Sequence, residues 1–480
     1  MKRVTAALGL MTAALVLAGA AASAPTNEDE LLKDEKHFLE QSKKSYTDGA
    51  KAGSSWNMEV VAHNDLGGRG FNGDVWAHKG YAYVGHWGFA DWAGGSKTRF
   101  CPEAPNNGVA IVSSTGASVG KLQNPAGTSA EDVVVYTAKY GPYATRDIAV
   151  VGLQYCGGSR YDANANRGLM LWDVTSPSAP QQIGYLRTAC CTRGVHEFEV
   201  QHRADLGRTF AYATVPTSRY PDPSSPSTYR DVNGDGDFRL FDITDPAHPW
   251  QVSDWGVQDV GGPWYGGQGC DADANYGHGA EPSEDGKLAF LAYWDSGYIR
   301  LDLTTPSAPR LTGRTVYPAN ADGDAHSSQY DEGRRLLFTA DEDFCKSSGP
   351  GIETGYGYMR IYDYSKPSAP KQIGEFRTQN SLGTGSQGSG DYVIHNNFLV
   401  GTDVYASWYS DGVRVVDASN PSAPREVAYF VPPAGQNPVK PSQRGVLSQT
   451  TQVWGVVVED GLVYASDMNT GLWILRRTDR

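Results

Sequence analysis

The sequence lacks the patterns by which several large function classes declare themselves. Beyond its first 24 residues it has no apolar run approaching the roughly 20 residues that cross a bilayer as a helix, so no membrane span is expected in the mature chain. It contains no Gly-x-Ser-x-Gly, no His-Glu-x-x-His and no phosphate-binding glycine loop. Nucleophile-elbow hydrolases, zincin proteases and P-loop NTPases are thereby set aside. Gly67-Gly-Arg-Gly70 and the Gly-rich stretch 261–269 lack the lysine and the helix that phosphate requires. The cysteines, Cys101, Cys156, Cys190, Cys191, Cys270 and Cys345, never fall in a Cys-x-x-Cys spacing, which removes the usual zinc and dithiol signatures. Positive charge is also short. Lys and Arg number 41 against 54 Asp and Glu, a net charge of -13, which repels nucleic acid and anionic lipid; no nucleic-acid partner is expected.

The first residues read as a targeting segment. Lys2 and Arg3 precede an apolar run from Ala6 to Leu17, and Ala20-Ala-Ala-Ser-Ala24 supplies a small-residue cleavage site. Residues 1–24 are predicted to be a secretory signal peptide, with Ala22 as an alternative cut because Pro25 follows Ala24. No cysteine follows the run, so no lipid anchor is expected, and removing Lys2 and Arg3 takes the charge from -13 to -15. Six cysteines in an exported chain suit disulfides, whose pairing the sequence leaves open. Residues 25–55 are charged, with Leu31, Leu32, Phe38 and Leu39 near helical spacing, and read as a short surface helix or a solvated arm.

From Trp56 onward the chain repeats one element. Asp173-Val-Thr-Ser-Pro-Ser-Ala-Pro180 returns as Asp242-Ile-Thr-Asp-Pro-Ala-His-Pro249, Asp302-Leu-Thr-Thr-Pro-Ser-Ala-Pro309, Asp363-Tyr-Ser-Lys-Pro-Ser-Ala-Pro370 and Asp417-Ala-Ser-Asn-Pro-Ser-Ala-Pro424. A strand-like run precedes each copy and another follows it, as in Leu169-Met-Leu-Trp172 and Gln182-Ile-Gly-Tyr-Leu186. Asp accepts hydrogen bonds from turn amides, and proline fixes φ and ends strand pairing. The Asp residues lie 69, 60, 61 and 54 positions apart, and Ser113 stands 60 before Asp173. Units of this length with four strands predict an all-β fold, a seven-bladed β-propeller. Three strands close the sequence (Val453–Val457, Leu462–Ser466, Leu472–Leu475), and the fourth is expected from Trp56–Val61, pairing the N-terminal strand with the C-terminal blade. Insertions at Cys101–Asn107, Cys190–Arg193, Pro216–Asn233, Val260–Asn275 and Cys345–Tyr356 are where function is sought.

The stretches Arg300-Leu-Asp-Leu-Thr-Thr-Pro306, Arg360-Ile-Tyr-Asp-Tyr-Ser-Lys-Pro367 and Arg414-Val-Val-Asp-Ala-Ser-Asn-Pro421 resemble the LVIVD-repeat family of exported bacterial β-propellers. The resemblance covers roughly residues 56–478 and implies a propeller at or outside the cell surface. The first and last units depart from it, with Ser113 in place of Asp and no Asp-turn after Leu475.

Two constellations carry chemistry. Asp231, Asn233, Asp235, Asp237 and Asp242 occupy positions 1, 3, 5, 7 and 12 of a calcium-loop pattern, with Gly236 at the sharp turn and Asp in place of the final Glu. They are expected to hold Ca2+ unless the segment is only an acidic turn with Asp242 serving the repeat. His196, His278, His326 and His395 fall in four successive units, ahead of strands carrying Tyr212, Phe290, Phe338 and Tyr405. On a propeller's innermost strands they would converge at one mouth of the channel and could hold a transition metal; otherwise each is a repeat feature that hydrogen-bonds to a neighbouring blade. Glu197, Glu281 and Asp324 lie beside three of them as orienting or acid–base partners. Trp76, Trp87, Phe89, Trp92, Trp264 and Tyr265 would stack on sugars if exposed, or else fill blade cores. The main reading is a secreted, monomeric, calcium-stabilised binding module for a protein or glycan at the cell envelope. The alternative is a metal-dependent enzyme, oxidative or hydrolytic, built on the channel histidines. N-terminal sequencing of the exported protein is expected to begin at Pro25, or at Ser23 after the alternative cut; a chain starting at Met1 overturns the leader.

Overall fold

The computed structural model describes residues 51–90, 99–158, 161–217, 230–262, 274–344, 353, 355–385, 390–435 and 450–480, with 37–38, 40–42 and 45–46 from the arm. Seven antiparallel sheets form a ring. Their innermost strands are Asn72–His78, Val133–Thr137, Phe198–Arg203, Gly279–Pro282, Ala325–Asp331, Asn397–Val400 and Val453–Glu459, in blades 1 to 7. Each inner strand touches the inner strand of the next blade, and that of blade 7 touches that of blade 1. Period-2 alternation supplies the packing, because successive side chains leave opposite faces of a strand. In blade 2, Ala149, Val151 and Leu153 pack toward blade 1, while Ile148 and Val150 pack toward blade 3.

The repeated aspartate acts where the third strand of a blade turns into the fourth. Asp173, Asp242, Asp302, Asp363 and Asp417 each accept, through Oδ1, the amide two residues on (Thr175, Thr244, Thr304, Ser365, Ser419) at 2.7–3.0 Å. The fourth strand then returns antiparallel, with a bulge in each of these pairs. The turn also docks on the preceding blade. A Cβ at Gly120, Gly184, Gly313 or Gly374 would lie 2.3, 1.9, 1.7 or 1.8 Å from the carbonyl oxygen of Pro177, Pro246, Pro367 or Pro421 in the next blade's repeat. At these four places a side chain would run into that backbone. Blade 3 has Ser253 at this place, and its hydroxyl donates to Pro306 O at 2.7 Å.

Met58–Asn64 pairs with Gly471–Arg477 as the outer strand of blade 7, closing the ring with a strand from the start of the chain. Trp56 lies outside this strand. Ser54–Trp56 instead adds a fifth strand to blade 6 against Arg425–Val431, and Asn57, at φ 53°, turns the chain from one blade to the next. The described part of the arm is not a solvated tail. Phe38 and Tyr46 are buried, Tyr46 packs into the core between blades 5 and 6, and Ser42 Oγ donates to Glu375 O. Cys101 is bonded to Cys156, and Cys190 to Cys191; Cys270 and Cys345 lie outside the described residues. Among the described residues no helix is long and apolar enough to cross a membrane.

Gly374→Ala is expected to lower stability by about 2–3 kcal/mol, since a methyl group must displace the Pro421 backbone. Ser253→Ala loses one hydrogen bond and is expected to cost about 1 kcal/mol. Urea unfolding checks both, and equal effects would refute the contact.

Candidate metal centre

Four successive blades bring their histidines together. His196, His278 and His395 stand just ahead of their inner strands, and His326 is the second residue of its own. All four are buried, with at most 4% of their surface exposed. Ring centroids run 4.2 Å from His196 to His278, 3.8 Å on to His326 and 4.2 Å on to His395. The Nε2 atoms of His196 and His278 are 2.7 Å apart.

Their outer nitrogens show which way the lone pairs point. His196 Nδ1 lies 2.8 Å from Glu131 Oε2 and 2.5 Å from Gln154 Nε2, and His395 Nδ1 lies 2.7 Å from Trp454 O. A carbonyl can only accept, so Nδ1 of His395 carries the proton and its Nε2 presents a lone pair inward. This is how histidine ligands are commonly held. Glu197 lies 3.5 Å from His278 Nδ1 and 3.8 Å from His326 Nε2; Glu342 lies 3.5 Å from His326 Nε2 and 3.8 Å from His395 Nε2. Ligand atoms of Glu197, His278 and His326 all lie within 4.8 Å of one another, as do those of His326, Glu342 and His395. Donors at about 2.1 Å from a shared ion stand roughly 3–3.5 Å apart, so the set is close to a coordination sphere. His278 Nδ1, His326 Nε2, His395 Nε2 and Glu197 Oε1 make no hydrogen bond. Leaving such buried atoms unpaired costs about 1–3 kcal/mol each, which a bound cation would offset.

Burial sets the charge preferences of the cluster. Burial, then the neighbouring imidazoles, hold His278 and His326 well below the usual histidine range. Burial pushes His395 down to about 3. Burial raises Glu131, but the adjoining His196 outweighs it and keeps that carboxyl below its ordinary value. Glu197 is pushed well above, by burial and then by Asp74 and Asp132. Trp294 stands 5.5 Å from His278, with Trp454 at 4.2 Å and Tyr409 at 5.3 Å from His395. Next to the histidines the channel holds a cavity of about 80 Å³ whose lining includes Asp74, Asp132, Glu197, Glu199 and Glu281. At about 30 Å³ per water, it admits two or three waters.

The acidic loop is arranged differently. Asp231 and Asp235 both contact the Arg239 guanidinium, at 3.2 and 3.0 Å. Asp231 Oδ1 also accepts the amides of Asn233 and Asp235. Asp237 accepts from Thr217, Gly277 and Tyr293, while Asp242 accepts from Thr244 and Arg208. Arg239 holds the position of Arg360, which faces Asp341 and Glu353, and of Arg414, which faces Asp411 and Glu426. The loop therefore supplies counter-ions to the repeat arginine of blade 3, and Asp231, Asp235, Asp237 and Asp242 each have protein donors.

Glu197 meets the histidines as the sequence suggested, whereas Glu281 lines the channel and Asp324 sits with Asp295 and Asp322. Trp76 donates to Val135 O, and Trp87 packs 5.1 Å from Trp454, both in structural roles. Trp92, Trp264, Tyr265 and the Phe89 side chain lie outside what is described. Sequence reasoning missed Glu131 and Glu342. The signal for Glu131 was positional: it stands two residues ahead of its inner strand, as His196 and His395 stand ahead of theirs.

No curated protein matches the chain. Solved structures similar to it include the computationally designed protein Ika8, at 8% identity and TM-score 0.44 over 87% of this chain and 99% of that one. The β-propeller domain of Cps50 (Swd1) from Myceliophteria thermophila matches at 10% and 0.45 over 88% and 99%. Catalytically inactive virginiamycin B lyase from Staphylococcus aureus, solved with quinupristin, matches at 9% and 0.47 over 88% and 99%. The LVIVD repeat matches residues 405–430, the second to fourth strands of blade 6. With that repeat set in a ring of seven blades, the chain fits the LVIVD-repeat β-propeller family.

Proposed function

We propose that this propeller is an exported metal-dependent enzyme whose channel histidines hold one transition-metal ion. The observation that carries the reading is the convergence of His196, His278, His326 and His395, two of them already oriented by Glu131 and Trp454. Neutral imidazoles with carboxylates nearby suit zinc, copper, iron or manganese. A bound ion would supply Lewis acidity or a redox couple for hydrolytic or oxidative work on a small molecule. Glu131 lies against His196 Nδ1. Glu197, whose carboxyl burial holds well above its ordinary range, stands beside His278 and His326 as an acid–base partner. The histidines are buried among the rings of Trp294, Tyr409 and Trp454. That same burial favours a second reading, a binding module for a protein or glycan in which the metal only pins four blades together. A calcium ion on the 231–242 loop belongs to this second reading and would have to displace Arg239.

Elemental analysis after exhaustive dialysis is expected to find one equivalent of a transition metal, lost in His326→Ala. Calcium alone at one equivalent would favour the binding module, and no metal at all removes both sites. In metal-free protein, His326→Leu is expected to raise stability by about 1–3 kcal/mol, because an unpaired polar atom leaves the interior, and to abolish the rise in Tm on adding metal. Turnover of peroxide or of an activated ester that persists in His326→Ala would rule against the enzyme.

Metal affinity should depend on pH through the carboxylates. Burial places Asp132 at about 7 and Glu281 at about 8, so each gains a negative charge as pH rises past those values. A more negative channel favours a cation, and affinity is expected to climb from pH 6 to pH 8. His395, at about 3, is neutral throughout that range, so no loss of metal through its protonation is expected there. Competition with a chromogenic chelator across pH 5–9 measures both.

A further inference from the structure

A second site lies on blade 1, away from the histidines. A cavity of about 960 Å³ opens among residues that include Arg69, His86, Phe100, Asn107 and Asn124, beside the Cys101–Cys156 bond. Ligand pockets commonly span about 300–1,000 Å³. Three buried side chains are left chemically incomplete here. Arg69, 8% exposed, donates to Asn72 Oδ1 and to the carbonyls of Val84, Gly85 and Gly108 at 2.6–3.1 Å, all neutral acceptors. The repeat arginines Arg239, Arg360 and Arg414 each face carboxylates; Arg69 faces none among the described residues. Asn124, 5% exposed, has neither its Oδ1 nor its Nδ2 in a hydrogen bond. His86, 2% exposed, holds Asn106 O through Nδ1 at 2.7 Å and has no hydrogen bond at Nε2, although Gly70 lies nearby. Among the described residues the only acidic one in the lining is Glu103, which is exposed at the rim.

Each deficiency names a ligand feature. An uncompensated guanidinium attracts an anion. A free amide offers one donor and one acceptor, the pair that a hydroxyl satisfies, and a neutral imidazole nitrogen needs a donor. Phe100 adds an apolar ring face of the kind that stacks on sugars. Water would satisfy the amide and the imidazole, but it leaves the cation without an anion. We propose that this cavity binds a small hydroxylated carboxylic acid of the uronic-acid kind, either free or as a residue of an acidic glycan. The carboxylate lies in the field of Arg69, and hydroxyls meet Asn124 and His86. The site does not depend on the metal centre, and its ligand would be a glycan, one of the two partner classes (protein or glycan) expected from the sequence.

The test is calorimetric titration of the full mature protein with glucuronate, glucose and acetate in parallel. Glucuronate is expected to bind, with glucose and acetate each at least about 10-fold weaker. Asn124→Leu, which removes an amide with no partner and so leaves the fold intact, is expected to weaken glucuronate by about 10-fold or more. His86→Phe should act in the same direction. Glucose binding as tightly as glucuronate would overturn the anionic part, and acetate doing so would overturn the hydroxylated part. Undiminished binding by Asn124→Leu, or no glucuronate binding at all, would overturn the site. Metal content reads out separately, so this proposal and the histidine centre can fail independently.

Discussion

The structure depends on contact between neighbouring blades at the backbone level. Each sheet is apolar on both faces and cannot be stable alone, so every blade needs two neighbours and the ring must close. Closure comes from Met58–Asn64 docking on Gly471–Arg477. Spacing comes from the glycines of the outer strands, whose backbone touches the proline carbonyl of the next repeat. These are the same residues that make the repeat visible. The Asp turns the strand, the Pro presents its carbonyl, and the Gly receives it.

Closing a ring of this size brings seven inner strands around a narrow axis, and whatever those strands carry is forced together. In this chain they carry imidazoles on one side and carboxylates along the axis, out of water. Buried ionisable groups shift toward neutrality unless something pairs them. That is the state of most of these side chains: imidazoles short of protons, carboxyls holding them, and several nitrogens and oxygens without hydrogen bonds. Within the blades the large buried cations are paired. Arg360 and Arg414 are as buried as the histidines, yet each faces two carboxylates. Buried polar atoms without hydrogen bonds occur elsewhere too, at Asn124 and on Arg414 itself, but the axis is where several imidazoles and carboxylates so placed come together.

The acidic loop shows that one spacing can serve two ends. Asp231, Asn233, Asp235 and Asp237 have the spacing of a cation loop, and two of them, Asp231 and Asp235, meet the Arg239 guanidinium. Arg239 lies within the same twelve-residue stretch, but the calcium-loop pattern does not weigh it, and its guanidinium reaches the loop from the strand Phe238–Asp242. Glu131 and Glu342 escaped notice for a related reason. Neither has a histidine next to it in sequence, and each meets one across a blade boundary.

The sequence by itself determined the blade count, the closing strand, the repeat turn and the four histidines as a set. These follow from local rules, namely period-2 apolar alternation, Asp and Pro chemistry at turns, and the recurrence of one element at near-constant spacing. Tertiary structure alone decided which polar groups face one another. The proton position on His395, the counter-ions of Arg239 and the neutral acceptors around Arg69 are properties of juxtaposition. The physical reason is that a propeller pairs residues far apart in sequence across its axis and between its blades, where burial strengthens every electrostatic interaction and no local pattern records the partner.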